Sequence, residues 1–96
     1  MSRREEVRRI LGQLKNELSQ RFSVSSIGIF GSVARMEDTP ESDIDIIVDF
    51  SKPIGIEFID LAEFIEKHLK QKIDLVSLKG IKERNLDSIK EDLILV

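Results

Sequence analysis

The chain has no cysteine and a single histidine, His68. Disulfides, thiolate zinc sites and cysteine nucleophiles are therefore excluded together, a histidine-rich metal cage cannot be assembled, and a serine–histidine relay is disfavoured. Long uncharged runs are missing as well. The longest stretch free of Asp, Glu, Lys and Arg extends from Phe22 to Ala34, short of the roughly 18–20 residues a membrane-spanning helix needs. Met1 is followed by Arg3, Arg4, Glu5 and Glu6 rather than by an apolar segment, so no secretory leader is visible and a cytoplasmic location is expected. The basic excess of a protein that grips nucleic acid is also lacking. Fifteen Lys and Arg stand against 18 Asp and Glu, a formal net charge of −3, which argues against nucleic acid as a direct ligand. Neither the dinucleotide-binding pattern G-x-G-x-x-G nor the P-loop G-x-x-x-x-G-K-[ST] occurs.

What is present describes one globular domain spanning residues 1–96, with 41% hydrophobic residues and a densely charged remainder at 34%. Chemistry in such a chain must come from carboxylates, hydroxyls, backbone amides and a few cations. From Arg4 to Phe22, Val7, Ile10, Leu11, Leu14, Leu18 and Phe22 recur at helical steps, with Ser2 as N-cap. Arg3, Arg4, Arg8, Arg9 and Lys15, mixed with Glu5, Glu6 and Glu17, are expected on the solvated face of that helix. Val24 to Phe30 reads as a buried strand, Val33 to Met36 as a short helical turn, and Glu37 to Ser42 as a loop.

Asp43 to Phe50 alternates. Ile44, Ile46, Val48 and Phe50 are predicted on one face, and Asp43, Asp45, Ile47 and Asp49 on the other. A second amphipathic helix is predicted from about Ile56 to Leu69, a short strand over Lys72–Ser77, a third long helix over Ile81–Lys90, and a terminal strand or tail from Leu93 to Val96. This order suggests an α+β fold, a small mixed β-sheet with helices packed mainly on one face. A parallel dinucleotide-binding topology is the competitor.

The stretch that bears on function is Gly31-Ser32-Val33-Ala34-Arg35, followed after seven intervening residues by Asp43-Ile44-Asp45. Aspartates two apart on a strand project from the same face, about 6.5 Å apart at Cα. Like charges so placed are costly unless a cation lies between them, and converging carboxylates suit Mg²⁺, a hard ion completed by phosphates and water. Two such ions promote phosphoryl or nucleotidyl transfer. Asp-x-Asp by itself is weak evidence. Gly31-Ser32 adds a place where a phosphate can approach the backbone at a helix start, although the same pair also suits a plain strand-to-helix turn. Asp74, inside Ile73-Asp74-Leu75-Val76, is predicted on the face opposite Ile73 and Leu75, and so alongside Asp43 and Asp45. Its alternative role is that of an edge-strand charge. Asp49 and His68 read as surface and boundary residues, and Phe58 and Phe64 as core.

Gly-Ser, ten intervening residues, Asp-x-Asp and a later strand aspartate together resemble the polymerase-β-like nucleotidyltransferases. More narrowly, the chain resembles the minimal nucleotidyltransferases of the HEPN/MNT toxin–antitoxin type, over nearly its whole length. The resemblance implies a palm-like nucleotidyltransferase fold, with Asp43, Asp45 and Asp74 as catalytic ligands of two Mg²⁺ ions and Asp74 assisting deprotonation of the acceptor. It also implies that Gly31 and Ser32 hold the β- and γ-phosphates of ATP. Arg35 matches the family's arginine, and either steadies the triphosphate or pins the loop through an acidic neighbour. Met36 departs from the pattern, which commonly has glycine there. The implied activity is AMP transfer from ATP to a tyrosine of a partner HEPN-domain toxin, with the chain acting as antitoxin in a hetero-complex or oligomer. Two alternatives stay open: a module that silences its partner by contact alone, and a nucleotidyltransferase acting on RNA or a small-molecule hydroxyl.

Overall fold

The computed structural model describes residues 2–81 and 83–96. Helix α1 (Arg3–Phe22) opens on Ser2, whose hydroxyl accepts a hydrogen bond from the Glu5 amide at 3.1 Å, satisfying one of the free donors of the first turn. Strand β1 (Val24–Phe30) leads directly into the four-residue helix α2 (Gly31–Ala34). Strand β2 (Ile44–Phe50), helix α3 (Glu57–Leu69) and strand β3 (Ile73–Ser77) follow. A 3-10 turn over Leu78–Gly80, helix α4 (Glu83–Asp92) and strand β4 (Ile94–Leu95) complete the chain.

The strands form one sheet in the order β3-β2-β1-β4. β1 is antiparallel to both β2 and β4, whereas β2 and β3 run parallel. The parallel pair follows from α3, which carries the chain back across the sheet as a parallel connection requires. The sheet is therefore mixed, as the element order suggests.

Alternation along β2 decides which face is dry. Ile44, Ile46 and Val48 are buried with Ile27 and Ile29 of β1 beneath Val7, Leu11, Leu14 and Leu18 of α1 and Leu61, Ile65 and Leu69 of α3. Each such side chain contributes about 1.5–3 kcal/mol through burial. Phe58 and Phe64 are partly buried against this core, Phe64 with its ring 5.3 Å from that of Phe22. Helices α1 and α3 thus share one face, and α4 is the exception. It borders the opposite face, where Asn85, Ser88 and Ile89 lie across a cleft from Phe30, Asp74 and Val76.

Three sequence expectations shift, the first being the short helix, which runs over Gly31–Ala34 rather than Val33–Met36. The last helix runs over Glu83–Asp92 rather than Ile81–Lys90, because the chain first makes the 3-10 turn at Leu78–Gly80; Lys82 of the expected span lies outside the described residues. Arg3 and Arg4 are not on the solvated face of α1. Their side chains are 20% and 29% exposed and reach across to other elements.

Candidate active site

β2 and β3 are paired so that Asp45 and Asp74 are Cα partners, while Ile46 pairs with Leu75 on the core side of the sheet. Across the other edge of β2, Asp45 is the partner of Phe30. One row of the sheet therefore reads Phe30, Asp45, Asp74, all on the face away from α1 and α3. Asp43 lies two residues before Asp45, is exposed, and is close enough for its charge to act on Asp45. The three aspartates named from the sequence come together on one face.

The electrostatics of this row are unfavourable for the chain alone. Asp45 is half-buried, and its carboxyl is raised above the ordinary carboxylate range, first by burial, then by the charges of Asp74 and Asp43; Arg35 opposes the shift. A cation would relieve the repulsion, and the donors are the hard oxygens that Mg²⁺ prefers. Among the described residues no three acidic or histidine side chains close on one point as a ready-made cage. A Mg²⁺ ion at this face would therefore need ligands from outside the chain as well, as is usual for that ion when it is shared with phosphates.

Phe30 is bonded to Gly31, which starts α2 at φ +74°. A Cβ at Gly31 would fall onto Asp45 Oδ2 and lie 3.1 Å from Asp45 Cγ. Glycine is required twice over here, for the backbone conformation and for the close approach of the carboxylate. No side chain caps the start of α2, and Ser32 is partly exposed in its first turn. The end of α2 is a Schellman arrangement. The Glu37 amide donates to Ser32 O at 2.9 Å and the Met36 amide to Val33 O at 3.1 Å. Met36 is the residue in left-handed conformation, φ +60°. This gives the family's usual glycine at that position its physical reason, and the turn forms with methionine in its place.

Arg35 donates to Asp92 Oδ2 at 2.6 Å and to Glu37 Oε2 at 3.3 Å. These contacts tie the end of α4 to the turn after α2. Asp49 lies farther along β2 and accepts from the Phe50 amide. His68 is exposed and its ring lies against that of Phe64, tilted by 49° with centroids 4.4 Å apart.

Arg3 and Arg4 were missed as site-building residues. Arg3 donates to Ser42 O at 2.6 Å, Thr39 O at 3.1 Å and Gln71 Oε1 at 2.6 Å, and pairs with Asp38 at 3.4 Å. It therefore holds the loop that delivers Asp43 against the start of β3. Arg4 donates to Ala34 O at 3.2 Å, closing the end of α2. A signal existed: cations in the first turn of a helix oppose its dipole, so Arg3 and Arg4 there call for partners elsewhere.

A mixed sheet with paired carboxylates on its open face, beside a glycine–serine corner, defines the nucleotidyltransferase class. A family model described as "Nucleotidyltransferase domain" matches residues 11–96, and the chain belongs to that family as a minimal nucleotidyltransferase. A Methanocaldococcus jannaschii protein described as a "putative protein adenylyltransferase" is 44% identical over 95 residues, covering 95% of each chain. The "Protein adenylyltransferase MntA" of Thermococcus cleftensis is 39% identical over 93 residues, covering 96% of this chain and 94% of its own. A solved "putative minimal nucleotidyltransferase" superposes with a TM-score of 0.79 at 27% identity, over 98% of this chain and 95% of that one. A toxin–antitoxin crystal structure with AMP-PNP superposes with a TM-score of 0.74 at 22% identity, over 93% of this chain and 70% of that one; at that identity the likeness is one of fold.

Proposed function

We propose that this nucleotidyltransferase transfers AMP from ATP to a tyrosine hydroxyl of a HEPN-type toxin and acts as its antitoxin. The observation that carries the reading is the register that sets Asp45 beside Asp74, with Gly31 packed against the Asp45 carboxylate. Relatives that match nearly end to end and carry the name protein adenylyltransferase support a protein acceptor.

In the proposed reaction the acceptor oxygen forms a bond to the α-phosphorus, the bond to the β-phosphate oxygen breaks, and pyrophosphate leaves. Asp43 and Asp45 would hold Mg²⁺, and Asp74 would share it while taking the acceptor proton. Bound Mg²⁺ would supply charge neutralisation for the phosphates and a lower pKa for the acceptor hydroxyl. Gly31 and Ser32 would receive the β- and γ-phosphates through backbone amides and the Ser32 hydroxyl. Arg35 would keep α4 closed against this corner. The reaction as proposed uses no nucleophile from the chain, so catalysis rests on positioning and charge.

The test is incubation with α-labelled ATP, Mg²⁺ and the HEPN-type protein. Label should appear on that protein and fall at least a hundredfold with Asp43→Asn or Asp74→Asn. Neutralisation of the toxin that survives both substitutions would assign silencing to contact alone. Label on RNA or on a small molecule instead would overturn the protein acceptor.

A further inference from the structure

Strand β3 forms one outer edge of the sheet, and among the described residues no strand or loop backbone pairs with it there. The Ile44 amide donates to Lys72 O at 3.1 Å, and Ile44 is the partner of Ile73. In such a parallel ladder the backbone groups of Lys72, Asp74 and Val76 turn to β2, and those of Ile73, Leu75 and Ser77 turn outward. We infer that this edge docks the acceptor: an extended segment of the partner protein adds as a fifth strand antiparallel to β3, its hydroxyl-bearing residue opposite Asp74. The inference rests on the protein-acceptor reading above and names where that acceptor binds.

Sheet edges that stay unpaired are ordinarily blunted by proline, lysine, a bulge or shortness. β3 is five residues long, its register with β2 has no bulge, and Ile73–Ser77 contains neither proline nor lysine. The opposite edge, β4, is only two residues long. The side chains of β3 also leave room for a covering strand. Ile73 and Leu75 on the core face and Val76 on the carboxylate face are only half-buried. Register then positions the acceptor. A strand bonded to the outward groups of Ile73, Leu75 and Ser77 sets one of its intervening residues in the close, non-hydrogen-bonded pair with Asp74, Cα atoms about 4.5 Å apart. Paired residues share a face, so that side chain rises on the carboxylate face beside the group proposed to take its proton. Lys72 is exposed two residues before Asp74, hence on the same face, and an acidic residue two positions from the acceptor would meet it. A second copy of this chain fits less well. Pairing the full edge, Ile73 with Ser77 and Leu75 with Leu75, would bring both Asp74 side chains onto one face as diagonal neighbours of like charge.

Amide hydrogen exchange by NMR on the full isotope-labelled chain, alone and with the HEPN-type protein, tests this. In the free chain the Asp74 and Val76 amides should exchange slowly and those of Ile73, Leu75 and Ser77 fast. In the complex the Ile73 and Leu75 amides should slow at least tenfold. Ser77→Pro removes an outward N–H but no bond to β2, at φ −93°, a backbone close to the proline range. It should raise the KM for the toxin at least tenfold in the label-transfer assay, with kcat and ATP affinity unchanged. Fast exchange at Ile73 and Leu75 in a complex that transfers label overturns the docking edge and spares the transfer reading. Ser77→Pro that folds and transfers at the wild-type KM overturns the edge as well. Slow exchange at Ile73 and Leu75 in the chain alone, with a dimer by light scattering, overturns it in favour of a second copy. Label that never reaches the toxin removes the protein-acceptor reading and this inference with it.

Discussion

Gly31→Ala is the substitution on which the site geometry can be judged. Two costs separate cleanly. The φ of +74° is one that an L-residue adopts at about 1–2 kcal/mol. The new methyl would also meet the Asp45 carboxylate, which must rotate away from its present position, at about 0.5–1.5 kcal/mol for an unfavourable rotamer. Together the loss is about 1.5–3.5 kcal/mol, roughly 6–28 °C in Tm for a domain of this size. In an Asp45→Ala background the nearest remaining atom is Cβ at 3.4 Å, an ordinary contact. There Gly31→Ala should cost only the backbone share, about 1–2 kcal/mol. The assay is urea unfolding of the four proteins of this double-mutant cycle, with coupling of about 1 kcal/mol expected. Equal costs in both backgrounds would refute the packing of the Asp45 carboxylate against the Gly31 backbone, and with it the shared corner on which the active-site reading depends.

Met36→Gly should stabilise the chain by about 0.5–1 kcal/mol, since relief of the left-handed conformation exceeds the added freedom of the unfolded state; a lower midpoint in urea would contradict this. Arg3→Ala should cost about 1–3 kcal/mol in the same assay by leaving the part-buried Ser42 carbonyl unpaired. Arg3→Lys should recover little of that loss, because one ammonium cannot replace the guanidinium fork. In EDTA at neutral pH, Asp45→Asn should melt higher than wild type. The wild-type Asp45 carboxyl is raised in the folded state by burial, Asp74 and Asp43. Its contribution is therefore full below the ordinary carboxylate pKa of about 3.9 and is lost as pH rises through the raised folded value. The advantage of the variant should shrink as pH falls through that window, and an advantage that grows with acid would show the sign to be wrong.

Local rules made much of this molecule legible before any coordinates. The three- and four-residue apolar steps of α1 and α3, the Ser2 cap and the strict alternation of β2 are properties of a few neighbouring residues. They already separate Ile44, Ile46 and Val48 from Asp43 and Asp45. The same alternation placed Asp74 opposite Ile73 and Leu75. What alternation cannot state is which strand lies beside which, or in what register. The pairing of Asp45 with Asp74 on one side and Phe30 on the other joins residues far apart in the chain, and it depends on how α3 carries β3 back to β2.

The tertiary structure alone decided the rest. It turned Arg3 and Arg4 inward onto the carbonyls of the Thr39–Ser42 loop and of Ala34, where exposed helix positions had been expected. It laid α4 on the carboxylate face and tied it there through Arg35 and Asp92. It also required a left-handed residue at position 36, which a periodicity of apolar side chains cannot reveal. Period and alternation tell each side chain which way to face. Long-range packing tells it what it meets there, because that depends on elements whose positions no local stretch of chain encodes.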